Sequence, residues 1–239
     1  MKKFFAVINI EIKMFLRTGV AVFFTFVFPL FILFFFGSIW GKKFIPYLVP
    51  MIIAMISSST AIYTIGTILP IYKGTGILKR ITVSPLRGWT YIYGLVAARF
   101  LISFFQSILI IIIAIFFYGL EIKGNIFVLF LLLFIGILST LSIGGLIAGV
   151  SKNSEMATTI SNFTFTPLMF LSGAFIPIFI LPKFFQKLAY VSPVYHFIKA
   201  LQDIIREGGS LKNEGIHFSV LFFSLFIFFF ITKKTFREQ

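Results

Sequence analysis

Cysteine is absent from this chain, which excludes disulfides, thiolate metal sites and thiol chemistry and leaves the redox compartment open. Charge is scarce as well. Charged residues make up 12% of the chain, against about 25% in soluble domains. Only seven are acidic (Glu11, Glu121, Glu155, Asp203, Glu207, Glu214 and Glu238), and each is placed at the end of an apolar segment or between segments. Carriers coupled to protons or sodium put carboxylates or histidines inside the membrane, so this distribution speaks against an ion-coupled secondary transporter. The two histidines, His196 and His217, fall in one region with Asp203, Glu207 and Glu214. A His–carboxylate metal or general-base site, and with it a membrane enzyme, is the sharper reading of that group. Solvated loop histidines are the reading adopted, so no metal, cofactor or catalytic residue is expected on this chain. A P-loop is missing too. The motif G-x-x-x-x-G-K-[ST] is approached only by Gly37-Ser38-Ile39-Trp40-Gly41-Lys42-Lys43, which is one residue short and lacks the hydroxyl. Any ATP-driven step must draw on nucleotide bound elsewhere.

Apolar surface, by contrast, is abundant. The chain is 59% hydrophobic, carries 36 Phe and has a mean hydropathy of +1.06. A soluble core cannot absorb so much, and an all-α polytopic membrane protein follows. The net charge of +14 is read as basic residues flanking helices and setting their orientation, with no nucleic-acid partner.

Residues 2–17 put Lys2, Asn9, Lys13 and Arg17 on one side of a helix and Phe4, Phe5, Ile8, Ile12, Phe15 and Leu16 on the other. That pattern predicts an interfacial amphipathic helix over 1–18, lying on the inner membrane face. Asn9, Glu11 and Lys13 interrupt the apolar run that a signal peptide needs. Six membrane spans are predicted: about Val20–Trp40, Ile45–Ile71, Trp89–Tyr118, Ile126–Val150, Ala157–Ile176 and Ile216–Thr232. The hydroxyls of the second span either bond their own backbone or line a polar path. Ser57, Ser58, Thr60 and Thr64, with Asn162 in the fifth span, are the candidate path-lining residues. Arg99 is expected to snorkel from near the end of the third span. Gly136, Thr140, Gly144 and Ala148 form a small-residue stripe on the fourth, beside a Gly145/Gly149 pair, which predicts close helix packing. With the N-terminus in the cytoplasm, 12 Lys and Arg fall inside and 8 outside, and both termini inside requires an even number of spans.

Two segments stand out from this plan. Residues 72–90 form a basic cytoplasmic loop with Ile77, Leu78, Ile81 and Val83 as its apolar positions, closed by Ser84-Pro85. It reads either as a short helix that docks in a partner's groove or as a loop that only fixes topology. The second is Phe163–His196, an apolar helix that meets Pro167, Ser172-Gly173, Pro177, Pro182 and Pro193. Pro and Gly break a helix, and broken backbone survives in a bilayer only where protein covers it or water reaches it. This is a helix that enters, breaks and folds back near one surface, continuing through an amphipathic segment at 197–210.

GILKRITVSPLRGW at 76–89, GLIAGVSKNSEMATTISNF at 145–163 and PLMFLSGAFIPIFILPKFFQKLAYVSPVYHFIKALQD at 167–203 resemble, in this order, the signature segments of ABC-2 type transporter permeases. These are the membrane subunits of ATP-binding cassette exporters. The form FLSGAFIP is similar to the drug- and lipid-export branch. The resemblance implies one transmembrane domain over 1–239. It implies a cytoplasmic coupling helix on the ATPase, carried by Gly76, Leu78, Lys79, Arg80, Pro85 and Arg87. It also implies re-entrant outer helices over 177–209 that close the path, with Ser172, Gly173, Pro177, Pro182 and Pro193 at the gate. Further implications are a location in the plasma membrane, two copies of a separate ATPase that supplies ATP and Mg, and a second permease copy or paralogue. The chain departs from the family pattern at Lys73 and Lys79, where acidic residues are common, and at Gln202, where an Arg is common.

Overall fold

The computed structural model describes residues 2–76, 88–176, 178–209 and 214–237, and every regular element among them is helical. Among the described residues four helices are long and apolar enough to cross a bilayer: α2 (Gly19–Trp40), α3 (Lys42–Tyr72), α4 (Gly88–Tyr118) and α5 (Ile126–Val150). Their limits fall where local chemistry stops a helix. Gly41, at φ 74°, turns α2 into α3. Asn125 caps α5 by accepting from the Phe127 N–H at 2.8 Å, and Asn153 caps the next helix through the Met156 N–H at 2.8 Å.

The remaining two predicted spans differ from the four. α6 (Ser154–Leu171) has 18 residues but is diluted by Glu155 and by Ser154, Thr158, Thr159, Ser161 and Asn162. It ends five residues before the predicted Ile176, because Gly173 takes a left-handed φ of 82° just past its end. α9 (Gly215–Arg237) is 23 residues long, with its described apolar stretch at Gly215–Ile227. Between them, among the described residues, lie a 3₁₀ turn (Ile178–Ile180) and two α-helices, α7 (Lys183–Ala189) and α8 (Pro193–Glu207), started by Pro182 as N-cap and Pro193 as first residue.

α5 is the axis of the bundle, and its small residues decide what packs on it. A Cβ at Gly144 would come within 2.0 Å of the Ala61 carbonyl oxygen, so α3 and α5 meet backbone to backbone. Gly136 does the same for α8: a Cβ there would lie 2.2 Å from the ring of the fully buried Phe197. The stripe predicted to serve packing therefore serves two different helices.

The bundle has two ends. At the proximal end α1 (Lys2–Arg17) lies against the start of α4, with Val7 seated in the space left by Gly94. At the distal end the α4–α5 loop meets the C-terminus of α8. The Lys123 and Gly124 N–H groups donate to the carbonyls of Ile205 and Ile204 at 3.1 and 2.9 Å, satisfying two of the carbonyls a helix end leaves free. The Arg206 guanidinium sits 3.7 Å over the Tyr47 ring and ties α8 to the start of α3.

Both α2 and α3 contain a widened π turn, at Phe23–Val27 and Thr60–Ile65. Such turns loosen backbone carbonyls, and a neighbouring helix captures one in each case. The Gln106 side chain of α4 donates to the Thr25 carbonyl. The Ser161 hydroxyl of α6 donates to the Ile62 carbonyl at 3.1 Å.

Candidate functional site

Two chambers run along the seam between α2 and α3. The distal one, about 1110 Å³, is lined by Phe36, Met51 and Met55, by the break after α6, and by Lys43, Lys199 and Arg206. The proximal one, about 840 Å³, is lined by Ser59, Thr60 and Thr64 and by Glu11, Tyr72 and Arg99. Ile32, Met55 and Phe175 border both, so three apolar side chains separate them. The widened turns place Phe24, Thr25, Thr60 and Thr64 on the proximal chamber from both sides.

The predicted site residues distribute unevenly over this geometry. Ser172 and Gly173 border the distal chamber, with the Ser172 hydroxyl donating to the Met169 carbonyl at 3.0 Å. Pro182 and Pro193 start α7 and α8 instead of bordering it, and Pro177 lies outside the described residues. Thr60 and Thr64 border the proximal chamber. Ser57 and Ser58 are buried in helix contacts, Ser57 donating to the Ile53 carbonyl at 2.8 Å, and Asn162 is on an exposed face of α6. Of the coupling residues only Gly76 is described, at a φ of 71°; Leu78, Lys79, Arg80, Pro85 and Arg87 lie outside the described residues.

Two expectations about charge need correction. Glu11 is not at a helix end: it sits mid-way along α1 and is 1% exposed. Arg99 does not snorkel: it is 8% exposed and pairs with Glu11 at 3.4 Å. The Tyr91 hydroxyl donates to the other Glu11 oxygen at 2.6 Å, and Phe15 lies 5.8 Å from the guanidinium. The reason is that α1 packs on α4 through Val7, Glu11 and Phe15, spaced by four, and not through its most apolar face alone. A buried arginine is costly without a partner, and α1 supplies one. Nothing in either segment read singly pairs residues 88 apart.

The histidines are the third correction. His196 is no loop residue; it lies in the first turn of α8 and is 5% exposed. Its Nε2 is 2.8 Å from the Tyr190 carbonyl and its Nδ1 is 2.7 Å from Nδ1 of His217. A carbonyl only accepts, so His196 carries its proton on Nε2 and accepts at Nδ1. Burial lowers the His196 pKa and keeps it in that neutral form. His217 must then donate from Nδ1, which leaves a bare lone pair on Nε2. Facing that atom, at 3.9 Å, is Oε2 of Glu214, whose pKa burial and then the Asp203 charge push up to about 7. The signal for a helical His196 was present in Ser192-Pro193, a cap followed by a first-position proline.

Comparison with known proteins agrees with this architecture. The sequence profile of the family described as "ABC-2 type transporter" matches residues 2–205. ABC transporter G family member 20 of Dictyostelium discoideum is 27% identical over 205 residues, which are 83% of this chain and 28% of that protein. The probable multidrug ABC transporter permease YbhR of Escherichia coli K12 is 26% identical over 69% of this chain and 45% of its own length. The inner membrane transport permease YadH of the same strain is 26% identical over 70% of this chain and 64% of its own. The chain thus spans less than two thirds of the length of these relatives. On a match that takes in most of the chain, and an apolar helical bundle to go with it, this protein belongs to the ABC-2 type transporter family.

Proposed function

We propose that this chain is the membrane-spanning permease of an ATP-driven exporter that moves a hydrophobic or amphipathic substrate, such as a drug, peptide or lipid-linked molecule, out of the cell. The observation that carries the reading is the seam between α2 and α3: two largely apolar chambers in line, kept apart by Ile32, Met55 and Phe175, in a chain whose family is that of ABC-2 transporters. Moving those three side chains would join the chambers. The hydroxyls of Thr60 and Thr64 and the Lys43 side chain on the lining suit a substrate with a polar group on an apolar body.

On this reading the protein sits in the plasma membrane with six crossings, α6 and α9 completing the four long apolar helices, and both termini cytoplasmic. α7 and α8 form the re-entrant outer segment over 177–209, and the break at Ser172-Gly173 belongs to the gate. Two copies of a separate ATPase engage residues 74–87, and a second permease subunit faces the seam. These 239 residues hold no P-loop, which supports an ATPase outside them. The ion-coupled alternative is weakened by Glu11, the carboxylate at the seam, because Arg99 and Tyr91 already hold it. Deleting Gly76–Arg80 tests the assignment. The reading expects insertion to survive while ATPase engagement and transport are lost; intact transport by the deletion variant would refute it.

A further inference from the structure

We propose that Asp203, Glu214 and His217 form a binding site for a divalent transition-metal ion of the zinc class, joining the C-terminal turns of α8 to the start of α9. One ligand atom from each of the three lies within 4.8 Å of the others. Their contacts leave this group short of donors. His217 presents a lone pair at Nε2, as the bonding order from Tyr190 through His196 requires. Oε2 of Glu214, a residue only 4% exposed, has no hydrogen-bond partner although it points at that lone pair from 3.9 Å. Asp203, 9% exposed, gives one oxygen to the Lys199 ammonium at 2.6 Å and retains the other. Apart from the Lys199 contact no hydrogen bond joins the two carboxyl groups and the imidazole nitrogen, and a cation placed among them is offered a ligand atom by each.

The surroundings are those of a supported site. A ligating histidine usually donates its other N–H to a fixed acceptor, which sets the tautomer and aims the ring. His196 plays that part, and the Tyr190 carbonyl fixes His196 in turn. Gly208 ends α8 in a left-handed conformation at φ 73°, and the Gly209 N–H donates to the Asp203 carbonyl at 3.1 Å. A Cβ at Gly209 would lie 2.8 Å from Oε1 of Glu214, so glycine there makes the room in which Glu214 approaches Asp203. The donor set selects the ion. Calcium and magnesium favour shells made of oxygen, whereas one imidazole with two carboxylates suits zinc and its neighbours, with water completing the coordination.

The test uses the full chain in lipid nanodiscs, stripped with a chelator and titrated with zinc chloride, with cobalt as a spectroscopic probe. One zinc per chain is expected, with a rise in melting temperature that the chelator reverses and cobalt d–d absorption that zinc abolishes. Glu214→Gln and His217→Gln should each remove zinc uptake. His196→Ala should weaken it roughly 10- to 100-fold while leaving the stoichiometry unchanged. Should a variant fail to fold, protection of the wild-type histidines from diethyl pyrocarbonate by zinc reports on the same site. Absence of saturable zinc uptake by the wild type would overturn the proposal, as would uptake that both Gln variants retain or histidines that zinc leaves unprotected.

Discussion

Neutralising Glu11 removes the partner of a buried arginine, and the structure says how much that should cost. The Glu11 carboxylate lies 3.4 Å from the Arg99 guanidinium, and the two residues are 1% and 8% exposed. At an effective dielectric of about 20 the bare attraction at that distance is about 5 kcal/mol, part of which the desolvation of both groups consumes. Breaking a buried pair from one side costs about 3–5 kcal/mol, because the survivor stays buried and unpaired. Glu11→Gln keeps the volume and still accepts from Tyr91, so it isolates the charge. Arg99→Met removes the other partner at similar size. Each should destabilise the protein by about 3–5 kcal/mol, whereas the double variant Glu11→Gln/Arg99→Met should cost far less than their sum. The assay is denaturant unfolding of the four proteins in one mild detergent, followed by tryptophan fluorescence and analysed as a double-mutant cycle. Single changes within about 0.5 kcal/mol of wild type, with an additive double, would mean that water screens the pair, and the placement of α1 on α4 would be refuted.

Two further outcomes follow from the packing of α5. Gly144→Val drives a side chain into the Ala61 carbonyl, 2.0 Å from where its Cβ must go, and should destabilise by more than the about 1–3 kcal/mol usual for overpacking; unfolding measurements and yield in the membrane fraction report it. Phe197→Ala empties the cradle at Gly136 and should cost about 3–5 kcal/mol, with faster amide exchange confined first to α8; a loss below about 1 kcal/mol would show that α8 is not anchored there.

Most of the helical plan was legible from the residues. The fourth span was read as about Ile126–Val150 and is found there, because its run of apolar residues begins after the Asn125 cap and ends at Ser151. Ser172-Gly173 was read as a break, and α6 ends at it. The segment expected to couple to an ATPase is outside the described residues from Leu78 to Arg87. What the residues could not disclose is pairing across long separations. Glu11 looks like an interruption in an amphipathic helix until α4 brings Arg99 and Tyr91 to it. His196 and His217 share a region of the sequence with Asp203, Glu207 and Glu214, but the contact between their two rings exists only where α8 and α9 meet. The widened turns in α2 and α3 also escape a periodicity argument, since one extra residue per turn leaves no compositional mark, and the side chains that hold their carbonyls, Gln106 and Ser161, come from other helices.

The measurement closest to the central claim is ATP hydrolysis and vectorial transport by the chain isolated from its native membrane, with and without what copurifies. The chain alone should hydrolyse no ATP. A cassette ATPase should copurify with it, and transport should require both proteins and Mg-ATP. Uphill transport by the purified chain under an ion gradient, with no ATPase present, would contradict the account.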